Sequence, residues 1–544
     1  MESTQVVIIG GGATGAGILW DLSLRGISAV LLEQKDIANG ATGRCHGLLH
    51  SGGRYIVKDP EAARECIAEN RIVKAIAPHC VEETGGLFVQ CPGDDAQFYE
   101  QWWRAAHQAG LQTQRLSAQD ALALEPNLQP DILGAFTCLD AHVDVFRLVQ
   151  ANLEAAIARG GRVLTYCEVN GLRMEKNRVR AVRYRHRKTG EEGEIACELV
   201  INAAGGWAQH VARLAGLDLP VRCDMGTLLV LNHRHSHRVI NRCRKPGDGD
   251  ILVPAGPVSI LGTTSMQVPS PENLSASPEE IDELLQLGGK LVRGMEAARI
   301  TRVFSGVRPL YAPPSDGGAA GRSLSRGFVL LDHGAQEGVG GFLSIIGGKL
   351  TTYRLMAAAA SDRAAVTLGL HTECKTALTP LRPAGAQNGA SPAAELLPRP
   401  ALERLQCRLG SQTERVLSAI AAQPELAEMV CECELVSRAE LDYVLAATAP
   451  LPARTIADIG RRTRLGFGPC QGTFCGHKAM LAGYQAHRWS AAEAAAEFKD
   501  YLAGRWKGQL PIHRGMQVEQ LEMGREIYRV EAPEGVLADG ADGK

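Results

Sequence analysis

One stretch near the N-terminus constrains the fold of this chain more than any other: VVIIGGGATGAGILWDLSLRGISAVLLEQ, residues 6–34. Its β-branched run ends at Ile9, is typical of a strand buried in a parallel sheet, and leads into the spacing GxGxxG. A helix is expected to follow over about 14–25, with Gly26 ending it and a second strand reaching Glu33. The stretch therefore predicts a strand–helix–strand unit that binds a dinucleotide.

The glycines of this turn have separate roles. Gly10 permits the sharp turn, Gly12 lets a pyrophosphate approach the backbone, and Gly15 lets the helix pack close to the strand. Free N–H groups at the helix start attract the diphosphate, and Glu33, about 20 residues downstream, can bind a ribose hydroxyl. NAD and FAD share this ADP half, so the motif alone does not choose between them.

Composition narrows the function classes. At 544 residues the chain is long enough for two or three domains, and a formal charge of −2 with 22% charged residues shows no basic excess for nucleic acid or an anionic membrane. The chain has fifteen cysteines, an odd number, and eleven of them are scattered without a repeating spacing, unlike a secreted disulfide framework. We find no signal-peptide pattern and no apolar run of about 18 residues or more, so we expect a cytoplasmic protein without a nucleic-acid partner.

Three later segments favour FAD as the dinucleotide. Glycine-containing stretches return at 40–53, 202–206 and 347–348, far apart in the sequence. An NAD enzyme of the usual kind places its substrate domain after one compact nucleotide-binding unit. A ligand contacted from four distant stretches must be long, as FAD is.

The same segments carry a resemblance to a known family. The stretches ATGRCHGLLHSGGRY (41–55), VINAAGGWA (200–208), SGVRPL (305–310) and GGKLTTYRLMA (347–357) resemble, in the same order, motifs of the FAD-dependent glycerol-3-phosphate dehydrogenases. With the C-terminal cysteines described below, the chain is most similar to the catalytic A subunits of the bacterial anaerobic enzymes. The resemblance covers nearly the whole chain and is weakest over 371–425 and near the C-terminus.

This resemblance implies an α/β and α+β fold. It comprises a Rossmann-like FAD-binding domain of the glutathione-reductase and D-amino-acid-oxidase type, an inserted substrate-binding β-sheet domain, and a small C-terminal helical iron–sulfur domain. We expect the FAD-binding domain over 1–85, 145–216 and 326–370, the substrate-binding domain over 86–144 and 217–325, a linker over 371–425, the iron–sulfur domain over 426–490, and a C-terminal helix and tail over 491–544. Ser/Thr-x-x-Asp/Glu capping patterns that begin at Ser277, Ser437, Thr455 and Ser490 predict helix starts.

The expected cofactor site draws on all four glycine-containing segments. The residues expected to contact FAD are Gly10, Gly12, Gly15, Glu33, Thr42, Gly43, His46, Gly47, Leu49, Ala204, Gly205, Gly347, Gly348, Lys349 and Leu350. Those beyond the first motif follow from the resemblance.

The expected substrate site needs cations for a phosphate and a base for a hydroxyl proton, because the C–H hydrogen leaves as hydride toward the flavin. Arg54 and Arg308 match substrate-pocket arginines of the family, and a guanidinium can hold phosphate through two parallel hydrogen bonds. The alternative is that they form surface ion pairs, as most arginines do. Lys349 adds a charge, and Arg308, Lys349 and His50 are the expected catalytic residues. Further substrate contacts are expected from Tyr55, Thr351 and Thr352.

The base is expected to be His50. It lies in the glycine-rich LLHSGGRY stretch, and a neutral imidazole has a suitable pKa. Two alternatives stay open: His50 only holds its loop by hydrogen bonds, or the base is His46, His233 or His235. The sequence departs from the family at Met225, where the family pattern has lysine, and a role for that position is in doubt.

Four cysteines near the C-terminus form the second strong pattern: Cys431 and Cys433, then 36 intervening residues, then Cys470 and Cys475. Close pairs in a reducing compartment favour a soft metal over disulfides, although structural zinc sites more often use CxxC pairs. The spacing CxC with CQGxxC resembles the bacterioferritin-associated-ferredoxin type of domain, which implies a 2Fe–2S cluster on the four thiolates. Zinc and the absence of any metal stay as alternatives.

Two neighbouring segments complete this region. PLRPAGAQNGASPAAELLPRP (380–400) lacks periodicity and predicts a linker. The turn RRTRLGFGP carries Arg461, Arg462 and Arg464 just before the second cysteine pair. Their charges can raise the potential of a cluster, and the alternative is a solvated basic turn.

The resemblance implies oxidation of sn-glycerol 3-phosphate to dihydroxyacetone phosphate by hydride transfer to FAD. Electrons would pass through the iron–sulfur centre to B and C subunits and so to the membrane quinone pool, with this chain peripheral on the cytoplasmic face of the inner membrane. Two other functions remain open: an FAD and iron–sulfur dehydrogenase of an amino acid or opine, and a non-catalytic, metal-stabilised binding subunit.

Overall fold

A computed structural model of the chain describes residues 2–312, 327–381, 392–513 and 516–531. Within these ranges the helices are α1 (Ala13–Leu24), α2 (Pro60–Ile76), α3 (Ala96–Gln108), α4 (Ala118–Leu124), α5 (Val145–Ile157), α6 (Ala208–Arg213), α7 (Pro278–Gly289), α8 (His333–Gln336), α9 (Tyr353–Thr367), α10 (Arg399–Leu409), α11 (Thr413–Ala422), α12 (Arg438–Leu445), α13 (Ile456–Thr463), α14 (Cys475–Gln485), α15 (Ala491–Lys507) and α16 (Met516–Glu531).

The strands of the same ranges are β1 (Glu2–Ile9), β2 (Ala29–Glu33), β3 (Leu48–Leu49), β4 (Val81–Glu82), β5 (Gly86–Gln90), β6 (Arg115–Leu116), β7 (Gly134–Cys138), β8 (Ala141–Val143), β9 (Arg162–Thr165), β10 (Cys167–Glu175), β11 (Arg178–His186), β12 (Glu192–Asn202), β13 (Val221–Leu231), β14 (Val239–Arg242), β15 (Ile251–Ala255), β16 (Val258–Gly262), β17 (Met266–Val268), β18 (Ile300–Tyr311), β19 (Phe328–Asp332), β20 (Phe342–Gly347), β21 (Met429–Cys431) and β22 (Val436–Ser437).

The first sheet contains the strand–helix–strand unit expected at the N-terminus. Its parallel part runs in the order β9, β2, β1, β12, β20, and β19 adds an antiparallel edge beside β20. The apolar run that ends β1 is buried on both faces, since α1, α5 and α9 cover one face and α6 packs with the other. Strands β10 and β11 extend β12 as an antiparallel ribbon. Because parallel strands end on one side, their carboxyl ends form a common edge for a ligand.

The second sheet takes its strands from 86–138 and 221–311. Neighbouring strands within this sheet are antiparallel, except that β14 and β5 are parallel. Strands β13 and β18 pair along their whole length, which sets Asp224 opposite Arg308 and Gly226 opposite Gly306. A separate aromatic cluster on α3 and β7 includes Trp102 and Phe136, whose rings stack with centroids 4.8 Å apart.

The C-terminal region is helical, with one small hairpin of β21 and β22. All four predicted helix starts carry the capping hydrogen bonds expected of them: Ser277, Ser437, Thr455 and Ser490 each accept from the backbone three residues on. Within the described part of the chain, no helix is both long enough and apolar enough to cross a lipid bilayer.

The described part of 371–425 differs from the predicted linker. Helices α10 and α11 share a buried core built on Leu405, Leu409, Val416 and Ile420. The apolar residues have helical spacing only after Pro398. The proline- and glycine-rich run before it has no such spacing, and the prediction of a linker was based on that run. Residues 382–391 of the expected linker lie outside the described residues.

Candidate active site

A cavity of ≈ 860 Å³ lies where the carboxyl ends of β1, β2, β12 and β20 meet the pair β13 and β18. Residues from all four glycine-containing segments line it. Cationic lining residues outnumber acidic ones: Lys35, Arg44, Arg54, Lys58, Lys245, Arg308 and Lys349 against Glu33, Asp59 and Glu168. A concave, cation-rich site of this kind favours an anionic ligand.

The glycine turn leaves room for a diphosphate. Gly10 has φ +115°, and a Cβ there would lie 2.5 Å from the carbonyl oxygen of Ala203. A Cβ at Gly15 would lie 1.9 Å from the carbonyl oxygen of Gly10, so this turn requires glycine at both positions. Gly12 is the N-cap of α1 and provides no side-chain cap. The helix start therefore presents backbone toward the cavity, as a pyrophosphate site requires.

Glu33 ends β2 at the rim of this cavity. Its Oε2 accepts a hydrogen bond from Gly11 N at 2.7 Å, and its Oε1 accepts from Lys35 N at 2.9 Å. Burial raises the pKa of Glu33, and these two hydrogen bonds oppose the shift. The turn, the open helix start and this carboxylate are the parts that the ADP half of FAD requires, so the residues present fit that cofactor.

The predicted cofactor residues divide into two groups. Those that line the cavity are Gly10, Gly12, Glu33, Thr42, His46, Ala204, Gly205, Gly347, Gly348, Lys349 and Leu350. Gly15, Gly43, Gly47 and Leu49 lie behind that lining. A Cβ at Gly43 would lie 2.1 Å from the carbonyl oxygen of Ala38, and one at Gly47 would lie 2.6 Å from that of Val143. These glycines allow close backbone packing under the cavity wall.

Arg308 lies on β18 in the middle of the cavity wall. Its Nη1 donates to Asp224 Oδ2 at 2.8 Å, and its Nη2 donates to the carbonyl oxygen of Thr264 at 3.2 Å and to the hydroxyl of Thr263. A Cβ at Gly226 would lie 2.6 Å from Nη2, so glycine leaves space for the guanidinium. The arginine is therefore fixed in place by protein groups.

Two further predicted cations are held by carboxylates in the same way. Arg54 Nη2 lies 3.3 Å from Asp250 Oδ2, and Lys349 Nζ lies 3.5 Å from Glu65 Oε2. Lys349 Nζ also lies 5.2 Å from the centroid of the Tyr55 ring, within cation–π range. Arg54, Tyr55 and Lys349 line the same cavity as Arg308. The carboxylates that hold the cations were not predicted from the sequence.

His50 lines the cavity among these cations. Its backbone N donates to Thr351 Oγ1 at 2.9 Å, and its ring lies 5.3 Å from that of Tyr55. Burial lowers the pKa of His50 to about 4; Asp140 opposes the shift, and Arg54 and Lys349 add to it. The imidazole is therefore neutral near pH 7 and can accept a proton.

The competing histidines are placed differently. His46 also lines the cavity, and burial lowers its pKa to about 3. Its Nε2 is buried without a hydrogen-bond partner among the described residues. The rings of His233 and His235 contact each other, with centroids 3.8 Å apart and planes inclined by 31°, and both residues lie outside the cavity lining. Geometry thus leaves His50 and His46 as candidates for the base.

Thr351 and Thr352, expected as substrate contacts, lie outside the cavity lining. Both are fully buried. The Thr351 hydroxyl accepts from His50 N, while that of Thr352 accepts from Lys349 N and donates to its carbonyl oxygen, both at 3.2 Å. Their hydroxyls shape the backbone that carries His50 and Lys349 and do not face the cavity.

The four C-terminal cysteines come together around α14. Cys433 Sγ lies 3.8 Å from Cys470 Sγ, and Cys475 interacts with both Cys431 and Cys470. The interaction with Cys475 lowers the pKa of Cys431 to about 7 and that of Cys470 to about 5. Across the described ranges, no group of three or more His, Cys, Asp or Glu side chains is arranged as a ready metal site. Four clustered thiols are nevertheless the ligand set that an iron–sulfur cluster uses.

The arginines beside this cluster are not a solvated turn. Arg462 is 2% exposed and, with Arg461, binds Asp36, which lies just after β2 of the first sheet. Arg464 binds Asp144 and Glu434. Buried or half-buried carboxylates therefore pair these charges. Asp36 and Asp144 come from the N-terminal third of the chain, and Glu434 lies next to Cys433.

Comparison with known proteins extends these observations. Residues 5–354 match the FAD-dependent oxidoreductase family. Two anaerobic glycerol-3-phosphate dehydrogenase A subunits are close relatives. That of Escherichia coli K12 is 44% identical over 533 residues, which cover 97% of this chain and 96% of the relative. That of Haemophilus influenzae is 41% identical, over 97% of this chain and 92% of its own.

A solved structure has the same architecture. The glycerol-3-phosphate dehydrogenase from Bacillus halodurans, crystallised with FAD, superposes with a TM-score of 0.72 at 21% identity, over 95% of this chain and 97% of that one. This likeness confirms the predicted mixed α/β fold. The family match to FAD-dependent oxidoreductases supports FAD as the cofactor.

Proposed function

Because the chain belongs to the FAD-dependent oxidoreductases, and among them to the anaerobic glycerol-3-phosphate dehydrogenase A subunits, we propose that it oxidises sn-glycerol 3-phosphate to dihydroxyacetone phosphate. The observation that carries this proposal is the position of Arg308, held by Asp224 in the wall of a cation-rich cavity that the glycine turn also lines. A fixed guanidinium there suits a phosphate ester more than an uncharged alcohol.

The cations divide the work of holding the substrate. Arg308 binds the phosphate group through its guanidinium, while Arg54 and Lys349 add positive charge from other segments of the lining. Their partners Asp250 and Glu65 keep both side chains in place before the substrate arrives. Preorganised charges of this kind need no rearrangement when the anion binds.

His50 then takes the proton of the substrate's C2 hydroxyl. When bound, FAD supplies the acceptor for the hydride that leaves C2 as the carbonyl forms. One proton and one hydride therefore leave the alcohol, and the ketone retains its phosphate. Because its pKa is lowered to about 4, the His50 ring is neutral and available as a base at the pH of the cytoplasm.

The C-terminal cysteines fit a route out for the electrons. We assign a 2Fe–2S cluster to Cys431, Cys433, Cys470 and Cys475, with zinc as the less favoured occupant. In this proposal the electrons pass singly through that centre to B and C subunits and to the quinone pool, and the chain is peripheral on the cytoplasmic face of the inner membrane. Its relatives are named as A subunits, which supports a complex of several different chains.

The test is anaerobic mixing of the purified, flavin-loaded protein with sn-glycerol 3-phosphate while flavin absorbance is followed. Prompt bleaching is expected with this substrate and none with unphosphorylated glycerol, because the cavity cations would have no phosphate to hold. Bleaching by an amino acid or an opine, without bleaching by sn-glycerol 3-phosphate, would overturn the substrate assignment. A colourless protein that takes up no flavin would instead favour a non-catalytic binding role.

A further inference from the structure

The four-cysteine unit is attached to the FAD-binding sheet by a buried charge network at α13. Asp36, 1% exposed, accepts hydrogen bonds from Arg461 Nε at 2.6 Å and from Arg462 Nη1 and Nη2, each at 2.7 Å. Arg461 Nη2 also donates to Asp458 Oδ1 at 2.8 Å. Tyr166 directly follows β9, the strand that pairs with β2, and its hydroxyl donates to Asp458 Oδ1 at 2.8 Å. Two guanidinium groups therefore meet two carboxylates, and removing either partner leaves a buried charge uncompensated.

Asp36 directly follows the segment that forms the cavity rim. It follows Glu33 by three positions, and Glu33, Gln34 and Lys35 all line the cavity. Asp36 lies outside the lining and bonds to α13 instead. The position of α13 is thus tied directly to the segment that holds the ribose end of the cofactor site.

A second contact joins the cavity wall to the cysteine loop. Phe146 of α5 stacks on Phe467, with ring centroids 5.2 Å apart and planes inclined by 24°. Phe146 also packs under Gly43, where a Cβ would lie 2.8 Å from its ring, and the other two residues of that glycine's turn line the cavity. Gly468 follows Phe467, and a Cβ there would lie 2.4 Å from Cβ of Cys433. Packed side chains and backbone therefore connect the cavity wall with a cysteine.

Arg464 strengthens the same contact. Its Nη1 lies 3.1 Å from Asp144 Oδ2, at the N-cap of α5, and its Nε lies 3.1 Å from Glu434 Oε2, next to Cys433. The arginine thus bridges the helix that carries Phe146 and the first cysteine pair.

We propose that Asp36 and Phe146 are positioning residues that hold the cysteine loop at a fixed separation from the flavin cavity, so that electrons cross this interface within one chain. The inference rests on the proposed iron–sulfur function. Each substrate molecule releases two electrons, which cross singly and leave to an external one-electron acceptor such as ferricyanide. Electron transfer through protein slows steeply with separation, so loosening the interface slows the crossing and leaves the oxidation of the substrate unchanged.

The experiment compares Asp36→Asn and Phe146→Leu with wild type and with Asp94→Asn. Asp94, in the loop after β5, forms a largely buried pair with Arg242 of β14 in the second sheet, 2.7 Å apart, so its variant controls for general loss of stability. Iron-loaded full-length protein is mixed anaerobically with sn-glycerol 3-phosphate. Flavin bleaching gives the first phase, and reduction of the iron centre, followed by its visible and paramagnetic spectra, gives the second. Hydrogen exchange of 456–475 is measured on the metal-free protein as a second readout.

The expected result is an unchanged first phase with loss of most of the fast second phase in Asp36→Asn and Phe146→Leu, accompanied by faster hydrogen exchange over 456–475. The Asp94→Asn control is expected to match wild type in both readouts. An unchanged second phase in both interface variants would overturn the positioning role and leave the proposed function intact. A wild-type protein with bleachable flavin but without bound iron would instead contradict the iron–sulfur assignment.

Discussion

Arg308 Nη1 lies 2.8 Å from Asp224 Oδ2, and the two residues face each other across the paired strands β13 and β18. The register of two strands that are far apart in the sequence therefore sets the direction of the guanidinium before any ligand binds. Asp224 is only 2% exposed, so a buried carboxylate orients this arginine, which lines the cavity. Such an arrangement favours recognition of an anion at a fixed point.

Replacing Arg308 with alanine removes the main phosphate contact. Charge-assisted hydrogen bonds contribute about 1.5–3 kcal/mol, so we expect kcat/KM for sn-glycerol 3-phosphate to fall by roughly 10- to 150-fold, mostly through KM. FAD content should stay at the wild-type level, as measured by absorbance of the purified protein. Arg363→Ala is the matched control, because Arg363 pairs with Asp332 on the first sheet outside the cavity. Loss of flavin from Arg308→Ala would make this arginine a cofactor or folding residue.

His50 makes a prediction about pH. Its pKa is lowered to about 4, so the ring stays unprotonated as pH falls through 6.5, where an ordinary histidine would gain a proton. The limiting rate of flavin bleaching at saturating substrate should therefore be flat between about pH 6 and 8. It should decline only as pH approaches the lowered pKa. Stopped-flow bleaching in buffers of constant ionic strength measures this profile, and an inflection near pH 6.5 would contradict it.

The lowered pKa of His50 also predicts how the stability of the fold depends on pH. Because the folded-state pKa of His50 lies below that of the unfolded chain, the unfolded state binds more protons between about pH 6.5 and 4. The contribution of His50 to the free energy of unfolding is therefore fully present above pH 6.5, and it is lost as pH falls toward the lowered pKa. His50→Asn should therefore lose less stability than wild type over this range, as followed by thermal unfolding.

Substitution of His50 and of His46 tests which of the two histidines is the base. If His50 is the base, His50→Asn should slow flavin bleaching by on the order of 10²- to 10⁴-fold with little change in substrate binding. His46→Asn is the matched variant, since His46 also lines the cavity and is also neutral near pH 7. A larger loss in His46→Asn than in His50→Asn would transfer the role to His46.

The parts of the site that the sequence predicted are local in the chain. The glycine turn and its helix depend on a few neighbouring residues, so their positions could be predicted from spacing alone, and α1 is observed at Ala13–Leu24. The family motifs brought Arg54, Arg308 and Lys349 to one cavity, as expected. The sequence did not predict the carboxylates that pair with these cations: Asp224, Asp250 and Glu65. Each pair forms between residues far apart in the chain, and no local pattern indicates it.

Two other features depend on contacts that the sequence alone does not show. Thr351 and Thr352 sit in the expected motif, yet the helix start behind Lys349 uses their hydroxyls internally. Arg461 and Arg462 resemble a solvated basic turn in sequence, yet they bind Asp36, which lies near the other end of the chain. Ion pairs of this kind form only when distant parts of the chain pack together. The periodicity of apolar residues in the sequence does not predict them.

Gly15 gives a prediction about cofactor retention. A Cβ at this position would lie 1.9 Å from the carbonyl oxygen of Gly10, so Gly15→Ala must push α1 away from β1 or distort the turn. We expect the variant to be purified with little FAD and to show no bleaching with substrate until excess FAD is added. Gly504→Ala adds the same methyl group to α15 where no atom lies within 4 Å, and it should retain FAD. Full flavin content in Gly15→Ala would contradict the pyrophosphate role of this turn.

The four cysteines give a prediction about metal content. Cys470→Ser should lose bound iron and acid-labile sulfide together with the visible absorbance of the cluster, because four thiolates are needed to hold it. FAD content and the rate of flavin bleaching by sn-glycerol 3-phosphate should stay at wild-type values, since the flavin cavity is lined by other segments. Cys407→Ser is the matched control: Cys407 is an exposed thiol of α10 in the same C-terminal region. Elemental analysis and sulfide assay of anaerobically prepared protein make the comparison. Zinc without sulfide in the wild type would favour a structural zinc site, and unchanged iron and sulfide in Cys470→Ser would exclude that cysteine as a ligand.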